Sequence, residues 1–195
     1  MPRRLATIVA TLTLAGLAVV LPAAAADAQV DALRDTRGDM WRWSGVADPT
    51  PAPHSTVGDI RRAVLAHASA RIAVRVSYVD LRRAGVYANY TLRLRTPGHV
   101  YREVTLETSR RHPAGRVRVF RRNGRPVADC GTRHRVDYDR SLVRISVARS
   151  CLGTPRTVQA LFTGYRADAD GDFLGDNPHN DRPRGAWTGW LASGR

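Results

Sequence analysis

Apolar and polar residues alternate with a period of two along much of this chain. Ile72, Val74, Val76 and Tyr78 are separated by Ala73, Arg75 and Ser77, and Ala88, Tyr90, Leu92 and Leu94 by Asn89, Thr91 and Arg93. Val117 and Val119 follow Arg116 and Arg118, and Val143, Ile145 and Val147 flank Arg144 and Ser146. That period marks strands with one buried and one solvated face. Asn123-Gly124, two residues that tolerate positive φ, predicts a hairpin turn between 116–122 and 125–128, and Pro97-Gly98 predicts another between 87–96 and 100–108. Further strands are expected at 60–67, 158–165 and 186–191. No segment after the first 28 residues carries a helical stripe beyond a turn at 150–153. About ten short strands joined by tight turns predict an all-β fold, an antiparallel β-sandwich. The Pro-rich stretch 48–53 reads as a surface connection, and neither an internal repeat nor a second domain boundary is visible.

The N-terminus departs from this pattern. Arg3 and Arg4 precede a run from Leu5 to Leu21 that is apolar but for three threonines and Gly16, followed by Pro22 and an alanine run ending Ala26-Asp27-Ala28. A basic start, a short apolar stretch and small residues at the cleavage positions are the signature of a signal peptide. The run is short against the roughly 20 residues of a spanning helix. The expected organisation is therefore a signal peptide over 1–28 and one sandwich domain over 29–195, secreted and without a membrane span once the leader is cleaved.

Export sets how the two cysteines are read. In an oxidising compartment Cys130 and Cys151 are expected to pair. A hairpin between them, with a four-residue turn at 139–142, would place Tyr138 opposite Val143, Val136 opposite Ile145 and Cys130 opposite Cys151. Two free buried thiols or a metal pair are the alternatives, and the chain offers neither a CxxC spacing nor a nearby third ligand.

Charge changes the picture less than its size suggests. The chain has 31 basic residues against 17 acidic, a formal charge of +14, and no basic residue is Lys. Such a uniform Arg bias is compatible with codon composition as much as with selection for a partner. A cationic surface nonetheless attracts anionic polymers. Arg75, Arg93, Arg95, Arg116, Arg118 and Arg144 alternate with core positions, and on neighbouring strands they would form one cationic face for a phosphate-rich or acidic polymer. A solvated outer face is the plainer reading. No nucleic-acid motif accompanies them.

Asp168, Asp170, Asp172 and Asp176 are the sharpest local feature, in an Asp-rich loop at 168–181. Alternating carboxylates with glycines that let the loop curl suit a hard cation, and calcium is the ion expected. Phe173 stands where an EF-hand needs glycine and His179 where it needs a bidentate Glu, so the loop resembles the shorter calcium loops of extracellular proteins. A solvated loop paired with Arg166 and Arg182 is the alternative. Trp41 and Trp43 near the start and Trp187 and Trp190 near the end suit packing, with Trp41 and Trp43 against a terminal strand carrying Trp187, or a platform for sugar rings. The chain contains no GxSxG, HExxH or P-loop, and its six His are scattered without chelating spacing.

The run Ile145-Ser146-Val147-Ala148-Arg149-Ser150-Cys151-Leu152-Gly153, followed by 158–165, resembles the late strand, turn and strand of DOMON-type and related carbohydrate-binding sandwiches. The segment 35–39, with Gly38, and the acidic-ended strand 72–80 are similar to their opening. The chain as a whole is similar to secreted sandwich proteins of high-GC Gram-positive bacteria. This resemblance spans most of 35–165 and implies a sandwich with a ligand-binding role, and no functional residue is carried over from it. The expectation is a secreted, non-catalytic binding or structural module with an anionic or glycan cell-surface polymer as partner. A binder of anionic polymers through the Arg face and a small extracellular hydrolase are the competing readings.

Overall fold

The computed structural model describes residues 28–44, 48–83, 86–167, 171–178 and 185–194. The expected signal peptide lies outside them apart from Ala28. In chain order the strands are β1 (Gln29–Arg34), β2 (Trp41–Trp43), β3 (Thr50–Pro51), β4 (Ile60–His67) and β5 (Arg71–Tyr78). There follow β6 (Ala88–Arg95), β7 (Tyr101–Thr108), β8 (Arg116–Phe120), β9 (Arg133–Asp137) and β10 (Leu142–Ala148). A 3-10 turn, Arg149–Leu152, leads to β11 (Thr157–Ala167), β12 (Phe173–Asp176) and β13 (Leu191–Ala192).

These strands form the antiparallel sandwich that the alternation predicts. One sheet has five strands in the order β1-β4-β5-β10-β9, and the other runs β3-β2-β12-β11-β6-β7-β8, with β13 added beside β11. The alternating apolar residues point inward: Leu65, Ile72, Val74, Val76, Val143, Ile145 and Val147 from the first sheet meet Leu92, Leu94, Val104, Leu106 and Phe162 from the second. Each such side chain removed from water contributes roughly 1.5–3 kcal/mol before entropy is counted. Tyr78 and Tyr90 join the sheets edge to face, with ring centroids 6.0 Å apart. Gly164 leaves room for the Tyr78 hydroxyl, since a Cβ there would stand 3.2 Å from it.

Several local expectations are corrected. The β9–β10 hairpin pairs Val136 with Val143 and Asp137 with Leu142, so the turn is Tyr138–Ser141 and the register differs from the expected one. Leu142 is 5% exposed, and burying it extends the strand through a position assigned to the turn, while Ser141 takes up the left-handed conformation at φ 48°. Cys130 and Cys151 still meet at bonding distance, their Cα atoms 4.9 Å apart, because the chain leaves the ladder at Gly131 and in the 3-10 turn. The arm after Asn123-Gly124 makes an isolated bridge, Phe120 to Pro126, closed by the Arg121 N–H donating to the Arg125 carbonyl and the Val127 N–H to the Val119 carbonyl. Residues 48–53 contain β3, which pairs with β2. Of the strand expected at 186–191, only Leu191 is in β13; Thr188 instead caps the end of the ladder by donating its N–H to the Ala160 carbonyl and accepting the Ala160 N–H on Oγ1. Among the described residues no helix is long and apolar enough to cross a membrane.

Candidate functional site

The outer face of the larger sheet carries the aromatic residues. β12 pairs with β2 so that Phe173 faces Trp43 and Gly175 faces Trp41, and with β11 so that Gly175 faces Tyr165. These residues share the outward parity, away from Leu174 and Phe162. The six-membered ring of Trp43 sits over Gly175, where a Cβ would come within 2.7 Å of it and within 3.2 Å of the Tyr165 Cβ. Trp43, Tyr165, Phe173, Thr163 and Arg93 line a groove of about 560 Å³. Phe173 is 41% exposed, a large apolar side chain left open to solvent. The polar wall is held in place: Arg93 Nε donates to Glu103 at 2.9 Å, Tyr101 Oη to the same carboxylate oxygen at 3.2 Å, and Thr91 Oγ1 to Asn89 at 2.7 Å. Trp187 does not pack with Trp41 and Trp43 as expected. It lies at the Tyr101 end of the face, edge-on to Tyr101 and 4.4 Å beneath the Arg95 guanidinium.

The six arginines do not form one face. Arg75 and Arg144 stand on β5 and β10 of the smaller sheet, whereas Arg93, Arg95, Arg116 and Arg118 are on β6 and β8 of the larger one, on the opposite side of the sandwich. Strand alternation revealed which residues point outward but not which sheet each strand joins. On the larger sheet the cations are largely matched: Arg93 by Glu103, Arg118 by Glu107, and Arg95 by Gln159 and the Trp187 ring. On the smaller sheet Arg75 is directly opposite Arg144, and Arg144 opposite Arg135. Arg135 pairs with Asp137, but among the described residues neither Arg75 nor Arg144 has an acidic partner. These three, with Arg133, border a shallow groove of about 470 Å³ floored by Val64, Ala66 and Ala73.

Asp168 and Asp170 of the expected calcium loop lie outside the described residues. The other two are held in different ways. Asp172 pairs with Arg42 at 3.3 Å. Asp176 takes the inward parity of β12 beside Leu174 and is 5% exposed, its oxygens accepting the N–H groups of Ile60 at 2.6 Å and Asn177 at 2.8 Å. Its carboxylate neighbours are Asp35 and Asp39 from the β1–β2 connection, with an oxygen of each lying within 4.8 Å of the others. Asp59, 1% exposed at the start of β4, stands beside them and accepts the Gly38 N–H at 3.0 Å. Burial, then the charges of Asp176 and Asp39, push the Asp35 carboxyl up to about 8, the Thr36 N–H opposing. Burial likewise lifts Asp176 to about 7 against the pull of the Ile60 N–H, and it raises Asp59 despite Gly38 and Arg37.

This cluster and the Tyr165–Phe173–Gly175 surface went unrecognised in the sequence. One signal was available: Asp176 falls two residues after Leu174, a carboxylate on the buried parity of a strand. Asp35, Asp39 and Asp59 gave none, because the contact that unites them spans more than a hundred residues of chain. Compared with protein-family models, curated proteins and solved structures, the chain matches none.

Proposed function

We propose that the protein is a secreted, non-catalytic binding module that takes a glycan chain across the outer face of its larger sheet. The observation that carries this reading is the Trp43 ring seated over Gly175, with Tyr165 and exposed Phe173 beside it in an open groove. A pyranose ring presents apolar C–H groups on its faces and hydroxyls around its rim. Aromatic rings cover the first, and a fixed guanidinium–carboxylate pair such as Arg93–Glu103 both donates to and accepts from the second. The groove is open along the sheet, which suits a chain more than an isolated small molecule. The sequence resemblance to carbohydrate-binding sandwiches, the N-terminal leader pattern and the paired cysteines support the same reading.

Affinity electrophoresis through gels containing neutral or acidic polysaccharides tests it. Retardation by at least one polysaccharide is expected, weakened about tenfold or more in Trp43→Ala and in Tyr165→Ala, with melting curves showing both variants folded. Unretarded migration through the whole panel, or full retardation of both variants, would refute the reading. Release of reducing ends from a retarding polysaccharide would refute the non-catalytic part.

A second reading rests on the smaller sheet. Arg75, Arg144 and Arg135 in one cross-strand row are a ready site for an anionic polymer, and binding there would weaken steeply with salt. Retention on heparin that persists in molar salt would exclude it.

A further inference from the structure

The β1–β2 connection and the end of β12 are remote in sequence, yet both deliver acid to one point. Asp35, Asp39 and Asp176 bring an oxygen each to within 4.8 Å of one another, the spacing of ligands around a single hard ion. The Asp59 carboxylate lies beside them, and its charge acts on both Asp35 and Asp176. Asp59 is 1% exposed, one oxygen fixed on the Gly38 N–H inside the Asp35–Asp39 loop and the other, Oδ1, buried with no hydrogen-bond partner. Asp35 Oδ2 is likewise buried and unpartnered. An unsatisfied carboxylate oxygen in the interior costs several kcal/mol unless a proton or a cation answers it. One cation among Asp35, Asp39 and Asp176 would answer these charges together, and each Asp176 oxygen keeps a lone pair beside the N–H it accepts.

We propose that Asp35, Asp39 and Asp176 bind one calcium ion beside the buried Asp59 carboxylate, which ties the β1–β2 connection to the end of β12. Calcium fits because every donor is a carboxylate oxygen, because the donors come from irregular segments that accommodate its flexible coordination, and because backbone carbonyls and water complete six to eight ligands. The site differs from the Asp-rich loop that the sequence suggested: Asp176 is common to both, but its partners come from the other end of the chain. The proposal is independent of what the outer groove binds.

Calcium chloride titrated into chelator-stripped full-length secreted protein, by calorimetry and by thermal melting, tests it. The expected result is one ion per chain and a melting temperature about 5 °C higher or more when calcium exceeds its Kd a hundredfold. Asp35→Asn and Asp59→Asn keep the side-chain shape while removing charge. Each should melt in chelator no lower than the parent and lose calcium affinity tenfold or more. Asp172→Asn, held by Arg42 outside the cluster, should bind calcium as the parent does. Parent protein that takes up no heat and melts identically in calcium and chelator overturns the proposal without reference to any variant. Calcium binding lost in Asp172→Asn but kept in Asp35→Asn and Asp59→Asn overturns it equally.

Discussion

The Trp43 ring occupies the space that a Cβ on Gly175 would need, 2.7 Å from the nearest indole carbon. Glycine is costly within a strand, where it loses backbone entropy and packs nothing. Its presence in β12 is explained by what rests on it. Gly175→Ala is expected to move the far edge of the indole and leave the core untouched, because the outward Cβ meets side chains and not backbone. Stability should change by about 1 kcal/mol or less, while retardation by a bound polysaccharide should fall as it does in Trp43→Ala. Unchanged retardation in Gly175→Ala would mean that the seat of the indole does not matter for binding.

Arg75 and Arg144 are opposed on adjacent strands, and among the described residues neither has an acidic partner. Like charges directly across a ladder destabilise by roughly 0.2–1 kcal/mol, and salt screens exposed pairs. Arg144→Thr, which places a β-branched side chain at the same outward position, should therefore raise the melting temperature at low ionic strength. The gain should shrink in half-molar salt, because screening stabilises the parent more than the variant. A gain independent of salt would assign the effect to strand propensity and not to repulsion.

These two relationships mark where the sequence was and was not legible. Alternation showed correctly that Arg75, Arg93 and Arg144 face outward and that Ile72, Leu92 and Ile145 face inward, because parity along a strand is a local property. It could not show that β5 lies beside β10 and β6 beside β11, since strand order depends on how the whole sandwich closes. The arginines therefore resolved into two surfaces. The hairpin register slipped for a related reason: a four-residue turn fits at either 138–141 or 139–142, and the burial of Leu142 decides between them. The acidic cluster was least legible, being built from carboxylates that turn inward only when β12 docks beside β2.

Cys130 and Cys151 are 21 residues apart, and linking them removes loop entropy from the unfolded chain worth roughly 3 kcal/mol. Both side chains lie where β10 runs out, so replacing them together leaves the ladder intact. The double variant Cys130→Ala/Cys151→Ala should fold, with an unchanged far-ultraviolet spectrum and a lower midpoint in urea. Non-reducing peptide mapping of the native parent should find the two joined within one chain. Alkylation of both thiols in the native protein would show that the bond does not form.

His67 gives the fold an acid-sensitive point away from the carboxylates. It is fully buried at the end of β4, where its Nδ1–H donates to the Leu191 carbonyl at 2.9 Å, leaving Nε2 buried with no partner. Burial lowers its pKa, the Leu191 contact opposes that, and the Arg149 charge lowers it further. The folded protein therefore holds the neutral ring, whereas the unfolded chain takes up a proton near pH 6.5. With the folded pKa below the unfolded one, the contribution is fully present above about pH 7 and is lost as pH falls through 6.5 toward the folded value. His67→Gln removes this titration but keeps a side chain able to donate to Leu191. Between pH 7.5 and 5.5 the parent should lose stability relative to the variant in urea unfolding, by at most about 1.4 kcal/mol, the full slope over the one pH unit below 6.5. Taking the difference between the two proteins cancels the carboxylates, which titrate in both. Parallel stability curves across that range would show that His67 takes up its proton alike in the folded and unfolded states, and the buried ring would then have no part in the response to acid.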